Sequence, residues 1–222
     1  MLKDYTIPPL NGGAAKRAVI FLHGLGDSGS GGLLSLGQVW GPHLPDCEFL
    51  CPDAPFPFDM GPPDFGGRQW FSLQTFERET MLEGVKNAAP YLNEYIDHVL
   101  KTRNLTPDKL AIVGFSQGTM MALYTLPRRT PPVACIVGYS GILSGGETLK
   151  AEKKSSPPVL LVHGKMDEVV PFAMMAEAEI VLKQAGISVT TVTCPFIGHS
   201  VDDTGVMAGL KFMQQAWKSE AA

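Results

Sequence analysis

Residues 109–126 read KLAIVGFSQGTMMALYTL, and they are the clearest indication of the fold in this chain. A run of apolar residues leads into Gly-x-Ser-x-Gly, with Ser116 at its centre, and a second apolar stretch follows as far as Pro127. This order is typical of a strand, a sharp turn and a helix, in which the serine hydroxyl projects above a sheet. Gly114 and Gly118 suit the turn because the strand and the helix leave no room there for a Cβ atom. The stretch therefore predicts that Ser116 is a nucleophile.

Further apolar runs recur along the chain, with segments of helical periodicity between them. The strand candidates are 18–22, 48–51, 110–113, 134–137, 158–162 and 189–193. Several are apolar throughout, which is typical of central strands covered by helices on both faces. Helices are predicted over 81–99, where Pro90 is expected to cause a kink or a break, and over 172–185 and 206–217. The alternation predicts a doubly wound, mostly parallel α/β sheet with helices on both faces, formed by residues 1–222 as a single domain.

The bulk composition excludes several classes of function. A chain of 222 residues with 45% hydrophobic content suits one globular domain with a sizeable core. The formal net charge of -4 and the lack of any Lys/Arg run argue against nucleic acid or an anionic membrane surface as a partner. No segment approaches the roughly 20 apolar residues of a membrane span. The first residues lack the apolar core of a signal peptide, so a cytoplasmic location is expected.

The sequence predicts neither a metal site nor a cofactor. Cys135 and Cys194 lie in apolar, strand-like runs, where a buried thiol is the ordinary case. Cys47 and Cys51 are separated by a spacing that fits neither zinc nor redox motifs. We expect structural roles for all four thiols. Hydrolysis by an activated serine requires no metal and no cofactor.

A serine nucleophile needs a base that accepts its proton, and five histidines compete for this role. His199 follows the last strand candidate and precedes the last helix, and sites of doubly wound folds gather in such loops. His98 belongs to a helical pattern and His43 to a proline-containing loop. His163 ends a strand candidate, where a buried, hydrogen-bonded imidazole is expected. We therefore predict His199 as the base, the alternative being an ordinary loop histidine.

The base needs a carboxylate that orients its ring and stabilises its protonated form. Asp167 follows a strand candidate directly and precedes a helix. The resulting chain order of serine, acid and histidine is the order found in α/β-hydrolases. Glu168 is the nearest competitor, and a turn role for Asp167 is the alternative reading. Asp202 and Asp203 also lie near the base in sequence, but they are more simply explained as helix caps.

The developing negative oxygen of the substrate requires two backbone N–H donors. The amide of Gln117, the residue after the nucleophile, is expected to be one of them. The loop 23–28, HGLGDS, follows an early strand candidate and contains enough glycine to turn an amide inward. We predict the amide of Leu25 as the second donor. The loop lacks the third glycine or the lysine that nucleotide-binding motifs require.

Four segments together resemble the acyl-protein thioesterase family, also called the phospholipase/carboxylesterase family of α/β-hydrolases. They are HGLGDS at 23–28, GFSQG at 114–118, HGKMDEVVP at 163–171 and GH at 198–199. The segments PDAP and RQWF, at 52–55 and 68–71, are also similar to that family. The resemblance covers almost the whole chain and implies the α/β-hydrolase fold. Two positions depart from it, Thr119 where glycine is frequent and Ser72 where aspartate is frequent.

The segment 56–71 is rich in proline and glycine, and it carries four phenylalanines and one tryptophan. Irregular segments of this kind are more often functional than passive. The resemblance implies that it, through Phe65 and Trp70, lines a hydrophobic channel or flap for an acyl chain together with Leu33 and Leu34. The alternative is a structural loop that covers the sheet edge with aromatic anchors.

These observations lead to the hypothesis of a serine hydrolase that cleaves esters or thioesters with an apolar acyl group through an acyl-enzyme. A small-molecule ester, a lysophospholipid and an acylated protein are the candidate substrates. One alternative is a small-ester carboxylesterase without a thioesterase role, and another is an inactive hydrolase fold used for binding. Apolar surface near the site is compatible with a homodimer, which no sequence pattern establishes.

Overall fold

The structure is a computed structural model that describes residues 1–62 and 66–218. Within these ranges, seven strands form the main sheet, and two short antiparallel strands form a separate pair. In chain order the strands are β1 (Asp4–Ile7), β2 (Arg17–Leu22), β3 (Cys47–Pro52), β4 (Phe56–Pro57), β5 (Arg68–Gln69), β6 (Leu110–Phe115), β7 (Cys135–Tyr139), β8 (Val159–Gly164) and β9 (Val189–Cys194). Each of the six strand candidates predicted from apolar runs corresponds to one of these strands.

The described residues form six α-helices, of which five lie between strands and the sixth follows β9. They are α1 (Ser35–Trp40), α2 (Arg78–Arg103), α3 (Gln117–Thr125), α4 (Gly146–Glu152), α5 (Ala173–Gln184) and α6 (Asp203–Lys218). Helix α2 continues through Pro90, so the predicted break does not occur. The amide of Gly205 donates to Asp202 Oδ1 at 2.8 Å, which satisfies an amide of the first turn of α6. Of the helices in the described ranges, not one combines the length and hydrophobicity that a membrane span requires.

The main sheet has the strand order β1-β3-β2-β6-β7-β8-β9, in which only the edge strand β1 is antiparallel to its neighbour. The chain therefore leaves β2 toward one edge of the sheet and leaves β6 toward the other. Doubly wound sheets bind their ligands at such a switch point, beside the carboxyl ends of the strands. The predicted oxyanion loop follows β2 and the predicted nucleophile follows β6, so both lie at this point.

Two hydrophobic layers cover the two faces of the sheet. Helices α2, α3, α4 and α5 pack on one face, where Ile20 and Ile112 point. Helices α1 and α6 pack on the other, where Val19 and Val113 point. Because both faces are buried, neighbouring residues of a central strand are both apolar, which explains the continuous hydrophobic runs in the sequence. The predicted doubly wound, mostly parallel sheet is confirmed.

Candidate active site

The turn between β6 and α3 holds Ser116 in a strained backbone conformation. Its φ of 53° and ψ of -115° lie outside the regions that residues with a side chain usually adopt. A Cβ on Gly114 would lie 2.5 Å from the Thr119 amide nitrogen, and one on Gly118 would overlap the Leu22 carbonyl. Both flanking glycines are thus required by close backbone approach, as expected of a nucleophile elbow.

Asp167 and His199 come together from the loops after β8 and β9. His199 Nδ1 donates to Asp167 Oδ2 at 2.8 Å, which leaves Nε2 as the nitrogen that can accept a proton. Asp167 Oδ1 accepts the amides of Val169 at 2.9 Å and Val170 at 2.8 Å. Burial raises the pKa of Asp167, but the bond from His199 and these two amides outweigh it and hold the pKa below its ordinary value. Glu168, the competing acid, is exposed.

A second histidine contacts the same carboxylate. His163 is only 2% exposed, and its Nε2 donates to the Val170 carbonyl at 2.9 Å. The same nitrogen lies 3.3 Å from Asp167 Oδ2. The sequence indicated a buried, hydrogen-bonded histidine here, but not its contact with the acid. The two residues are four positions apart in the sequence, and this spacing is the feature from which their contact could have been predicted.

Ser116 and His199 line one cavity of about 240 Å³ above the switch point. The His199 side chain is 18% exposed, and its ring centroid lies 4.8 Å from that of Phe115. Leu25 lines the same cavity from the loop after β2. The structure thus places the predicted nucleophile, base and one oxyanion residue around a common space.

The loop that contains Leu25 is held by a buried histidine. His23 has no solvent exposure, and its Nε2 accepts the amide of Ala54 at 3.0 Å. Its Nδ1 therefore carries the hydrogen and donates to the Gly24 carbonyl at 2.8 Å. Burial lowers the pKa of His23, so the ring stays neutral in this arrangement. A Cβ on Gly24 would lie 3.5 Å from the Ser116 Cβ, which shows how closely this loop approaches the elbow.

The other predicted oxyanion residue, Gln117, opens helix α3. The amides of the first helical turn have no acceptor within the helix, so the Gln117 N–H is available to a ligand at the elbow. Its side-chain carboxamide is fully buried, and buried polar groups of this kind are almost always hydrogen-bonded within the protein. Those partners lie in the segment Trp70–Phe71.

A larger cavity of about 710 Å³ adjoins the one at Ser116, and four residues line both. These are Phe76, Met81, Ile142 and Val169. The joined cavities form a groove, defined here by these four apolar side chains, which runs from Ser116 toward α4 and α5. Farther from Ser116, charged residues also line the larger cavity, namely Arg78, Glu79, Glu147 and Glu177. The sequence did not indicate this set, because its members come from three distant segments.

The predicted acyl-binding residues lie elsewhere or outside the described ranges. Leu33 is buried and Leu34 half-buried in the layer with α1 and α6. Trp70 is fully buried in the opposite layer, and neither it nor the two leucines line the groove. Phe65 lies outside the described residues.

Thr119, one of the two departures from the family pattern, fits because its surroundings are small. Its hydroxyl donates to the Tyr139 carbonyl at 2.8 Å. A Cβ on Gly138 or Gly141 would collide with the threonine side chain. The extra volume at position 119 is therefore accommodated by glycine on β7 and just beyond it. Ser72, the other departure, is exposed.

Comparison with known proteins agrees with this architecture. The sequence profile of the Phospholipase/Carboxylesterase family matches residues 10–217. An acyl-protein thioesterase 1 of Schizosaccharomyces pombe is 31% identical in an alignment of 211 positions that covers 88% of this chain and 89% of the relative. The esterase YpfH of Escherichia coli is 24% identical, over 90% of this chain and 83% of that protein.

Solved structures show the same similarity. The crystal structure of esterase PE8 superposes with a TM-score of 0.91 at 35% identity, covering 97% of this chain and 99% of that one. The acyl-protein thioesterase 2 of Zea mays has a TM-score of 0.74 at 26% identity, covering 98% and 100% of the two chains. The protein is therefore an α/β-hydrolase. Within that class, the chain belongs to the phospholipase/carboxylesterase family, and the predictions of the family and of hydrolysis of esters or thioesters are confirmed.

Proposed function

We propose that Ser116, His199 and Asp167 form the catalytic triad of a serine hydrolase whose substrates carry an apolar acyl group. The observation that carries the proposal is the 2.8 Å bond between His199 and Asp167 beside a cavity that Ser116 also lines. The strained elbow is a second support, because such strain persists where it positions a reacting group. The amides of Leu25 and Gln117 are the proposed oxyanion donors.

In the proposed reaction, Ser116 Oγ attacks the acyl carbon while its proton passes to His199 Nε2. The carbonyl oxygen becomes an oxyanion between the two donor amides. When the tetrahedral intermediate collapses, the bond to the alcohol or thiol breaks and His199 returns the proton to that leaving group. Water then attacks the acyl-enzyme by the same route, which releases the carboxylic acid and restores Ser116.

The groove supports an acyl chain as the recognised part of the substrate. Its four shared residues are apolar, and it continues into a cavity of about 710 Å³. Relatives named as acyl-protein thioesterases favour a thioester between an acyl group and a protein. Lysophospholipids, acylated proteins and small esters remain the candidate substrates. The size of the groove favours the longer acyl groups over the small-ester alternative.

The test is kcat/KM over a series of alkyl esters and thioesters, with Ser116→Ala as the blank. Because each buried CH₂ contributes about 0.8 kcal/mol, kcat/KM should rise with chain length to about eight carbons or more. A maximum at about two to four carbons would favour the small-ester carboxylesterase. Loss of Ser116 should reduce kcat by roughly 10⁶-fold, and substantial residual turnover would refute the triad.

Covalent labelling separates the enzyme from an inactive binding protein. A fluorophosphonate probe should label Ser116 in the wild type and should fail to label Ser116→Ala. A wild-type chain that takes up no label would favour the binding role. The homodimer and the cytoplasmic location stay predictions from the sequence.

A further inference from the structure

One short segment contacts the structures that carry both proposed oxyanion donors. Residues 68–71, called here the bridging segment, comprise β5 and the two residues after it. On one side, the amide of Gly26 donates to the Arg68 carbonyl at 2.9 Å. The amide of Arg68 in turn donates to the Asp27 carbonyl at 2.8 Å. These two bonds pair the bridging segment with the loop immediately after Leu25.

On the other side, the bridging segment binds the side chain of Gln117. The Trp70 amide donates to Gln117 Oε1 at 2.8 Å, and Gln117 Nε2 donates to the Phe71 carbonyl at 2.8 Å. The carboxamide thus satisfies one donor and one acceptor of the backbone, as a neighbouring strand would. Trp70 and Gln117 have no solvent exposure, so water does not replace these bonds.

A third contact ties the bridging segment to the start of the oxyanion loop. The indole Nε1 of Trp70 donates to the His23 carbonyl at 3.2 Å, and the two ring centroids lie 6.1 Å apart. His23 is itself fixed by Ala54 and Gly24. Trp70 therefore contacts both the loop with one proposed donor and the residue that provides the other.

We propose that the bridging segment sets the position of the Leu25 amide relative to the Gln117 amide, with Trp70 and the Gln117 side chain as positioning residues. The inference rests on the proposed function, because it requires these amides to be the oxyanion donors. Strands β2 and β6 pair as far as Leu22 and Gly114, but the Leu25 amide lies in the loop beyond β2 and the Gln117 amide opens α3, so both lie beyond the paired part of the two strands. A donor stabilises the transition state only when it points at the developing oxyanion, and small misplacements are costly.

The consequence is a specific kinetic signature. Oxyanion donors act in the transition state and leave ground-state binding almost unchanged, so loosening the bridging segment should lower kcat without raising KM. A role confined to stability would lower the urea midpoint and leave kcat per folded molecule unaltered. The two roles are therefore separable by measurement.

A matched pair of tryptophans provides the test. Trp40 is also fully buried, and its Nε1 donates to the Val206 carbonyl at 3.1 Å in the layer on the other face of the sheet. Trp70→Phe and Trp40→Phe each remove one such bond and keep an aromatic ring. Both should lose similar stability in urea. Only Trp70→Phe should lower kcat, by roughly 3- to 10-fold at constant KM.

A second variant enlarges the effect and examines the donors directly. Gln117→Met keeps the backbone amide and the approximate side-chain volume but removes both bonds to the bridging segment. It should lower kcat by roughly 10- to 100-fold. The affinity for an alkyl trifluoromethyl ketone, whose adduct with Ser116 carries an oxyanion, should fall in parallel. The affinity for the product carboxylate should not change.

Unchanged kcat and unchanged ketone affinity in Trp70→Phe, with stability lost as in Trp40→Phe, would overturn the proposal. Should Gln117→Met fail to fold, the tryptophan pair decides alone. A wild-type chain without fluorophosphonate labelling would instead refute the proposed function, so the two failures are distinguishable.

Discussion

The two halves of the candidate active site differ in how they are held. The oxyanion half, residues 23–26 with Gln117, is fixed by side chains that have no solvent exposure. In the acid–base half, Asp167 holds His199 by one hydrogen bond, and the His199 side chain is 18% exposed. Its loop also carries Phe196, which is 87% exposed. A group that stabilises charge acts best when it is rigid, whereas a group that transfers protons must be reached by the leaving group and by water.

The largest effect is expected for Asp167, which accepts the hydrogen bond from His199 in the acid–base half. Asp167→Asn keeps the shape of the side chain but no longer favours hydrogen on His199 Nδ1, so kcat/KM should fall by roughly 10³- to 10⁴-fold. The measurement is kcat/KM on a preferred ester. Glu168, the exposed residue next to Asp167, provides the control, and kcat/KM of Glu168→Gln should stay within about twofold of the wild-type value. A loss below tenfold in Asp167→Asn would show that His199 has another orienting partner.

The scaffold of the oxyanion half should be the most sensitive to added volume. Gly118→Ala places a Cβ against the Leu22 carbonyl at the end of β2, which should lower the free energy of unfolding by about 3 kcal/mol. Urea denaturation measures this change. Gly32→Ala is the matched control, because its Cβ would meet nothing within 4 Å. Equal stability of the two variants would contradict the close packing of β2 against α3.

The contribution of the groove to kcat/KM should be separable from the contributions of the two halves of the site. Ile142 lies where the two cavities join, so Ile142→Trp should close the passage while the proposed triad stays intact. We expect kcat/KM for long acyl esters to fall by roughly 10-fold or more, and that for short esters to change little. Ile180→Trp, on an exposed position of α5, is the control. An equal loss for short and long esters would place the acyl chain elsewhere.

The smallest effect concerns pH, and the two halves should respond in different ranges. The lowered pKa of His23 keeps it neutral in the fold, while the unfolded chain takes up a proton below about pH 6.5. Stability should therefore fall as the pH drops from about 6.5 toward the folded pKa of His23. The lowered pKa of Asp167 means that its contribution is lost only in acid, below about pH 4.

Urea midpoints at about pH 7.5 and about pH 5.5 test the contribution of His23. The wild type should lose more stability between these two conditions than His23→Asn, in which the other titrating groups are the same. An equal loss in both proteins would mean that His23 is not kept neutral by the fold.

Most of the architecture was predictable because its signals are local. Strands buried on both faces give continuous apolar runs, so β6 and β8 were found within two residues of their bounds. The elbow was predictable because only glycine fits at positions 114 and 118. The predicted break at Pro90 was wrong, because α2 continues through this residue. Pro90 lies on the exposed face of α2, and packing of the buried face maintains the helix.

The sequence by itself determined the strand–turn–helix at Ser116, the chain order of the residues proposed as acid and base, and the family, because each depends on residue types at fixed spacing. Tertiary structure alone decided which apolar residues line the groove beside Ser116. Leu33 and Trp70 are as hydrophobic as Phe76 and Ile142, but the layer into which a side chain packs depends on contacts between distant segments. For the same reason, the bonds from residues 68–71 to both proposed oxyanion donors were visible only in the folded chain.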